Sequence, residues 1–249
     1  DKLFIEGASN RRKFIDKITW IFFSTHAKNI RLYEKLIRER NNLLKDNILD
    51  KIWFDNIEKQ IVKYGSNIIS DRLKVIKLLN NEINTNSSNF PKADMVVKGE
   101  IESKFNNSSD LDLFKDSFLR DLFDTRSKDS FRGITSIGPH RAELEVRYQE
   151  KEILANLCST GEQKSLLISI ILAVAKCYKN YCNLSPILLL DEVFAHLDNN
   201  KKESLSKEIK NLNVQAFMSG IEESDFMTFN ENSYIINLDN ANNRRIHEH

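Results

Sequence analysis

Residues that interrupt helices are scarce in this sequence. Its 249 residues include only seven glycines and three prolines, the two residue types that most often end or kink a helix. Long helices are therefore expected. The three cysteines, Cys158, Cys177 and Cys182, form no CxxC pair. This pattern favours reduced thiols in a cytoplasmic protein over a disulfide framework or a zinc site.

Neither sign of charge dominates, and no apolar run is long. The 37 Lys and Arg residues against 36 Asp and Glu residues leave a net charge of +1, so a nucleic-acid partner would have to be held by local basic patches. The longest nearly apolar stretch, residues 166–175, is too short to cross a bilayer, and no membrane partner is expected. Because the chain begins with Asp1 and not Met, we expect that it lacks its natural start.

Apolar residues at helical spacing predict helix over most of residues 16–45 and a second helix over residues 51–84. Basic and polar side chains form one narrow stripe on the first helix, namely Arg31, Lys35, Arg38, Asn42 and Lys45. Such a stripe is commonly a solvated helix face, and the alternative is contact with a nucleic-acid backbone. Arg40 lies on the opposite, apolar arc, which is an unusual position for a charged residue.

Strands and helices alternate in the second half of the chain. Strands are predicted over residues 95–101, 144–148, 187–190, 214–218 and 234–238. Helices are predicted over residues 111–123, 159–179 and 199–212. This alternation predicts a layered α/β unit. We therefore expect two lobes, a mostly helical arm over residues 1–132 and an α/β lobe over residues 133–249.

The segment Ser159-Thr160-Gly161-Glu162-Gln163 opens the predicted helix over residues 159–179. Ser159 as N-cap with Glu162 three residues later has the spacing of a capping box, which is a purely structural role. The same helix start also presents a hydroxyl and backbone N–H groups to phosphate oxygens. The two interpretations are compatible, because a capped helix start is also where a phosphate would bind.

An apolar strand over residues 187–190 ends in the carboxylate pair Asp191-Glu192, and the turn at residues 195–198 follows. The pair alone could be a strand running into solvent. The order of Ser-x-Gly turn, apolar helix, apolar strand, carboxylates and turn instead favours half of a nucleotide-hydrolysing site, with one carboxylate for Mg²⁺ and one to activate water.

The other half of such a site, a P-loop, is missing from the chain. Residues 133–138 have the G-x-x-x-x-G spacing, but Pro139-His140 follows where a P-loop has Lys-Ser/Thr. Proline also lacks the N–H group that would contact a phosphate. His140 is expected to be a hydrogen-bonded structural histidine.

Four segments together resemble the RecF family of bacterial DNA-repair proteins. They are residues 6–16 (EGASNRRKFID), residues 33–45, the turn Gly138-Pro139-His140-Arg141, and residues 188–205. The chain departs from the family pattern at three places. Ala8 replaces a usual proline, Ala142 stands where an acidic residue is common, and Cys158 and Thr160 alter the L-S-G-G-E signature.

The resemblance implies an α/β fold, the C-terminal part of an ABC-type ATPase head related to SMC heads, with a mostly helical arm lobe. Two such heads would hold ATP between them, as an ATP-dependent homodimer. By position, Asp191 would hold Mg²⁺ and Glu192 would polarise the attacking water. The expected nucleotide-binding residues are Ser159, Gly161, Gln163, Asp198 and Ser219.

The resemblance also implies that duplex and gapped DNA, RecO and RecR are partners in recombinational repair and replication restart. The residues expected to bind DNA are Arg31, Lys35, Arg38, Lys45 and Arg141. Because the family's P-loop lies outside this chain, the chain alone should hydrolyse no ATP. Two alternatives are an SMC-type head, for which residues 33–84 are too short a coiled coil, and a non-catalytic DNA or protein scaffold.

Overall fold

Helices form most of the first half of the computed structural model, which describes residues 2–46, 51–108, 110–222, 224, 226, 229 and 233–238. The first three helices are α1 (Ala8–Phe22), α2 (His26–Lys45) and α3 (Lys51–Thr85). α3 agrees with the prediction for residues 51–84, and most of residues 16–45 are helical as predicted, although a turn divides them between α1 and α2. The chain turns at residues 23–25, and His26 is buried beside Asp16 of α1.

The other helices are α4 (Glu100–Asn107), α5 (Leu111–Asp124), α6 (Arg126–Arg132), α7 (Thr160–Cys182) and α8 (Asn199–Leu212). The strands are β1 (Ala93–Lys98), β2 (Glu143–Tyr148), β3 (Ile153–Leu154), β4 (Ile187–Leu190) and β5 (Gln215–Met218). Residues 234–237 form no strand, so the strand predicted there is wrong. The strand predicted to reach residue 101 ends at Lys98, because α4 begins two residues later.

The strands form two small sheets among the described residues. β1, β2 and β3 are antiparallel, with Met95 opposite Val146. β4 and β5 are parallel, with Leu188 opposite Ala216. The predicted lobe boundary after residue 132 falls between β1 and β2, which are paired strands. The two-lobe division stays a prediction.

Three apolar clusters form the core, and α3 joins two of them. Val75 and Ile76 of α3 pack with α1, α7 and the antiparallel sheet. Ile61 and Ile68, nearer its start, pack with α2 and α5. The third cluster lies between α7, α8 and β4. One 35-residue helix thus spans both the arm and the sheet layer.

α7 is apolar on nearly every side and lies in the core. It is the single helix among the described residues that is long and apolar enough to cross a membrane, and half of its most apolar window is buried inside the protein. A core helix has the same length and composition. Its contacts with α3 and α8 agree with the expectation that this helix is buried.

The strand that carries the predicted carboxylates is covered on one face only. Leu188 is 6% exposed and belongs to the third cluster, whereas its neighbour Leu189 is 77% exposed. Ile187 and Phe217 are also exposed on this small sheet. The strand is apolar as predicted, but only one of its faces is covered. Parallel strands are usually apolar on both faces, so the sequence alone does not distinguish a covered strand from an open one.

Arg40, the charged residue on the apolar arc of α2, is buried and connects α2 to α3, to α5, to α6 and to Thr135. Its side chain is 0% exposed. The guanidinium donates to Glu58 of α3 at 2.9 Å, to Asp129 of α6 at 2.7 Å, to Thr135 at 3.0 Å and to the Leu122 carbonyl at 2.7 Å. Arg126 also donates to Glu58, at 2.6 Å. Each charged group buried in this Arg40 network therefore has a partner of opposite charge, as burial requires.

Replacing Arg40 by alanine should lower the free energy of unfolding by about 3 kcal/mol or more, because Asp129 would stay buried without its cation. Urea denaturation followed by circular dichroism measures this change. Arg38→Ala is the matched control on the exposed face of the same helix and should cost less than about 0.5 kcal/mol. A loss below about 1 kcal/mol for Arg40→Ala would show that the network contributes little.

Candidate functional site

Asp191, Glu192 and Ser219 meet at the carboxyl ends of the two parallel strands. Asp191 follows β4 and Ser219 follows β5. The Ser219 hydroxyl donates to Asp191 Oδ1 at 2.5 Å and accepts from the Glu192 N–H at 2.8 Å. The Ser219 N–H donates to the Leu190 carbonyl at 3.0 Å. Hydrogen bonds thus join Ser219 to two adjacent predicted residues, Asp191 and Glu192, which precede it by 28 and 27 positions.

The start of α7 is fixed against this carboxylate turn. Lys164 Nζ donates to the Glu192 carbonyl at 2.5 Å. Lys164 is buried, and burial lowers the pKa of its ammonium group against the opposing effect of the Glu192 and Asp191 charges. A Cβ atom on Gly161 would lie 3.0 Å from the His196 carbonyl oxygen, so a larger residue would crowd this contact. Glu192 and His196 have φ angles of +46° and +63°, which makes the turn tight.

Ser159 is the N-cap of α7 and forms the predicted capping box. Its N–H donates to Glu162 Oε2 at 2.8 Å, and its hydroxyl accepts from the Glu162 N–H at 3.4 Å. An ion pair with Lys151 and the hydrogen bonds from Ser159 lower the pKa of Glu162 to about 2. Ser159 is nevertheless exposed. The N–H groups of Thr160 and Gly161, in the first turn, have no acceptor within the helix.

Gln163 and Asp198 have structural roles in this arrangement. Gln163 is buried and its Nε2 donates to the Cys158 carbonyl at 2.9 Å, so it braces the turn before α7. Asp198 is exposed and is the N-cap of α8, where its Oδ1 accepts from the Lys201 N–H at 2.9 Å. This hydrogen bond lowers the pKa of Asp198. The predicted nucleotide contacts of both residues stay predictions.

The chemistry of Asp191 fits a magnesium ion. Its carboxylate is exposed and lies against the Ser219 hydroxyl, and both groups offer the hard oxygen ligands that Mg²⁺ prefers. Within the described ranges, no group of three or more His, Cys, Asp or Glu side chains could enclose a metal. Mg²⁺ at this site would therefore take its other ligands from water and phosphate oxygens.

The four basic residues predicted on α2 share one exposed face. Arg31, Lys35, Arg38 and Lys45 are all exposed, and Lys35 lies 3.6 Å from Glu39. Arg141 lies outside this face. Its Nε and Nη2 donate to the Thr135 carbonyl at 3.1 and 2.7 Å, although the residue is exposed.

The turn Gly138-Pro139-His140-Arg141 is held by the arm. The Tyr33 hydroxyl lies 2.7 Å from His140 Nδ1, and Arg72 donates to the Pro139 carbonyl at 2.8 Å. His140 Nε2 lies 3.0 Å from the Thr135 carbonyl. Burial, with the nearby Arg141 charge, lowers the pKa of His140 to about 4. His140 therefore has the structural role that the sequence predicted.

Sequence reasoning missed Lys164. A lysine just after the first turn of a helix that is otherwise mostly apolar is a signal that could have identified it, because a buried ammonium group needs an acceptor nearby. Arg72 was missed for a different reason. Its partners, Asp16 at 2.7 Å and the Pro139 carbonyl, come from distant segments, and no spacing along the chain indicates them.

Comparison with known proteins agrees with this architecture. No family model matches the chain. The DNA replication and repair protein RecF of Rickettsia prowazekii (strain Madrid E) is 37% identical over 237 residues, which are 95% of this chain and 65% of that protein. RecF of Brucella abortus (strain 2308) is 41% identical over 228 residues, which are 91% of this chain and 59% of that protein. The chain thus spans less than two thirds of the length of these relatives.

Two solved structures share the fold. One is described as the recombination mediator protein RecF-ATPrS in the RecFOR pathway, with a TM-score of 0.73 at 21% identity over 90% of this chain and 60% of that one. The other, described as RecF-ATP, has a TM-score of 0.73 at 22% identity over 89% of this chain and 60% of that one. These likenesses show the fold alone.

The fold is the C-terminal part of an ABC-type ATPase head with a mostly helical arm. A shared fold at 21–22% identity defines only the class. The identity to RecF proteins over nearly the whole chain is more specific. The chain belongs to the RecF family.

The pKa values of His26 and His140 should shift in opposite directions from the ordinary histidine value of about 6.5. His140 should stay neutral down to about pH 4. Burial alone would lower the pKa of His26, but hydrogen bonds to Asp16 and Asp71 outweigh it and raise the pKa. NMR titration of the ring carbons measures both values, with His140→Gln to assign the signals. A His140 signal that titrates near pH 6.5 would contradict the buried, neutral ring.

The free energy of unfolding should depend on pH through these two pKa shifts. The contribution of neutral His140 is complete above about pH 6.5 and is lost as the pH falls towards about 4, because the unfolded chain binds the proton first. The contribution of protonated His26 runs the other way and is lost as the pH rises through its raised folded-state pKa. Urea denaturation of His140→Gln across pH 4–7 should therefore show a weaker loss of stability on acidification than the parent chain.

Proposed function

We propose that this chain supplies the hydrolytic carboxylates and the signature turn of a RecF-type ATPase that acts in DNA repair. The observation that carries the proposal is the hydrogen-bonded set of Asp191, Glu192 and Ser219, with the capped start of α7 fixed beside it through Lys164. Carboxylates held at the ends of parallel strands, next to an exposed helix start, are the arrangement that phosphoryl transfer requires.

In this proposal Asp191 would hold Mg²⁺, which neutralises phosphate charge when bound. Glu192 would accept the proton of the attacking water, and Ser219 would position Asp191. Ser159 and the first-turn N–H groups of α7 would contact the γ-phosphate of a nucleotide bound to a second copy. Because Ser159 and Glu192 are both exposed, a second copy could reach them.

The cradle for the triphosphate would come from outside this chain. No G-x-x-x-x-G-K-S/T segment occurs in the sequence, and the relatives have further length that the chain does not span. The active unit would then be an ATP-held homodimer of the longer protein. We propose a role for it in the cytoplasm, with RecO and RecR, at duplex and gapped DNA.

The chain alone should show no steady-state ATP hydrolysis above background, because nothing in it binds the β- and γ-phosphates of its own nucleotide. A coupled assay of phosphate release measures this, with Glu192→Gln as the control for contaminating ATPases. Turnover by the chain that disappears in Glu192→Gln would contradict the division of the site between two segments.

In the longer protein, Glu192→Gln should prolong the ATP-held dimer, because the general base is lost while the phosphate contacts remain. Light scattering after addition of ATP should show dimers that outlast those of the parent protein. Ser159→Arg is the complementary variant, since its side chain would block the signature turn and should prevent the dimer. A Glu192→Gln protein that stays monomeric with ATP would count against the shared site.

For DNA, the exposed basic face of α2 is the best-supported surface. Arg31, Lys35 and Arg38 repeat at helical spacing and point to solvent. The relatives are named DNA replication and repair proteins, and a row of cations on one exposed helix face suits the phosphates of a DNA backbone. Arg141 is a weaker candidate, because its guanidinium is already bound to the Thr135 carbonyl.

Changing Arg31, Lys35 and Arg38 together to glutamate should weaken duplex binding and reduce the slope of log K against log salt by about 2–3. Fluorescence anisotropy at several salt concentrations measures both quantities. The matched control reverses three charges on α8, at Lys202, Lys207 and Lys210, with the same change in net charge. An unchanged slope for the α2 variant, or an equal loss for the control, would move the DNA site elsewhere.

A further inference from the structure

Phe131 is the most exposed large apolar side chain of the described residues, at 93%. It lies in the last turn of α6, a helix of seven residues. Single exposed apolar residues are common and need no explanation by themselves. Phe131 differs from such residues because the exposed surface around it on α6 is basic.

The exposed surface of α6 carries cations and no carboxylate. Its one acidic residue, Asp129, is fully buried against Arg40 and also accepts from the Ser136 N–H at 3.0 Å. Arg126 is occupied with Glu58 and Asp55. The exposed charged residues of α6 near Phe131 are then Lys128, one turn before it, and Arg132, the next residue. An exposed aromatic ring therefore has two cations and no carboxylate as its charged neighbours on this helix.

This surface continues the basic face of α2. The Ser130 hydroxyl donates to the Leu44 carbonyl at 3.0 Å, which joins α6 to the last turn of α2. Lys45 lies over Gly133, since a Cβ atom there would be 2.9 Å from Lys45 Cε. Gly133 has a φ angle of +64° and ends α6 two residues after Phe131. The row that begins at Arg31 and ends at Lys45 thus leads to the exposed ring.

We infer that Phe131 is a stacking platform for an unpaired nucleobase, at the point where a DNA strand held along α2 loses its partner strand. The inference rests on the proposed function of the α2 face. Bases in a duplex are stacked on one another, so only an unpaired base can offer its face to Phe131. Phenylalanine has no hydrogen-bonding group, so the platform would accept any base.

A protein partner is the less favoured occupant. Lysine is depleted at protein–protein interfaces, and Lys128 lies one helical turn before Phe131. The exposed apolar residues nearest to Phe131 along the chain are Ile134, at 43%, and Phe123, at 55%. Cations close to an aromatic ring suit the phosphates on either side of a stacked base. The ligand class is therefore a junction of duplex and single-stranded DNA, which a gap contains.

The test compares a blunt duplex with the same duplex carrying a single-stranded overhang, using the full chain and fluorescence anisotropy. Phe131→Ala should weaken binding of the overhang DNA about fivefold to a hundredfold. It should leave blunt-duplex affinity and its salt slope unchanged. Phe131→Trp should retain overhang binding, and Phe131→Leu should lose it, since leucine is apolar but has no π face. Trp20→Ala, at another exposed aromatic residue on α1, is the matched control and should change neither affinity.

Three results would overturn the inference. Equal loss on both DNAs would make Phe131 part of general backbone binding, and normal overhang binding by Phe131→Leu would exclude stacking. A change in oligomeric state of Phe131→Ala, measured by light scattering, would make the residue a protein contact. If the parent chain binds neither DNA, the proposed function of the α2 face fails with it. If duplex binding is normal and Phe131→Ala has no effect on the overhang, only the stacking platform fails.

Discussion

One serine hydroxyl joins the ends of two parallel strands, and the candidate site depends on it. Ser219 donates to Asp191 and accepts from the Glu192 N–H, so a single side chain orients a carboxylate and the backbone next to it. Asp191 is exposed, and without this bond its side chain would sample several rotamers. Lys164 adds a second constraint from α7, by holding the Glu192 carbonyl. Hydrogen bonds from two separate elements thus fix the turn before any ligand arrives.

The family resemblance placed Asp191 and Ser219 in one site, and strand topology explains why the two residues meet. Two apolar strands separated by a helix are normally parallel, and residues that follow parallel strands come to the same edge of a sheet. Asp191 and Ser219 satisfy that rule. The bounds of α8 and the capping box at Ser159 were also predictable, since both depend on local side-chain chemistry. What could be predicted was local, or followed from topology.

Other features of the fold depend on contacts between residues far apart in the sequence, which no local sequence pattern indicates. The position of the break between α1 and α2 was not predicted, because apolar spacing continues across residues 23–25. In the structure, buried His26 at the start of α2 pairs with Asp16 and Asp71. Arg40 was recognised as unusual, but its partners come from α3, α6 and the loop at Thr135. The exposed face of β4 was not predicted either. Here the local pattern itself misleads, since apolar residues such as Leu189 are typical of buried strands.

The exposure of the site residues is what a site shared between two copies requires. Ser159, Asp191, Glu192 and Asp198 are all exposed in a single chain, where water solvates their polar groups at little cost. In the proposed dimer the carboxylates would lose that water, and an unpaired buried carboxylate costs several kcal/mol. Closure without a ligand would therefore be unfavourable. In the proposed dimer, a nucleotide with its metal ion would provide the cation and the phosphate groups that compensate for the lost water. The charges proposed for hydrolysis would then also make association depend on ATP.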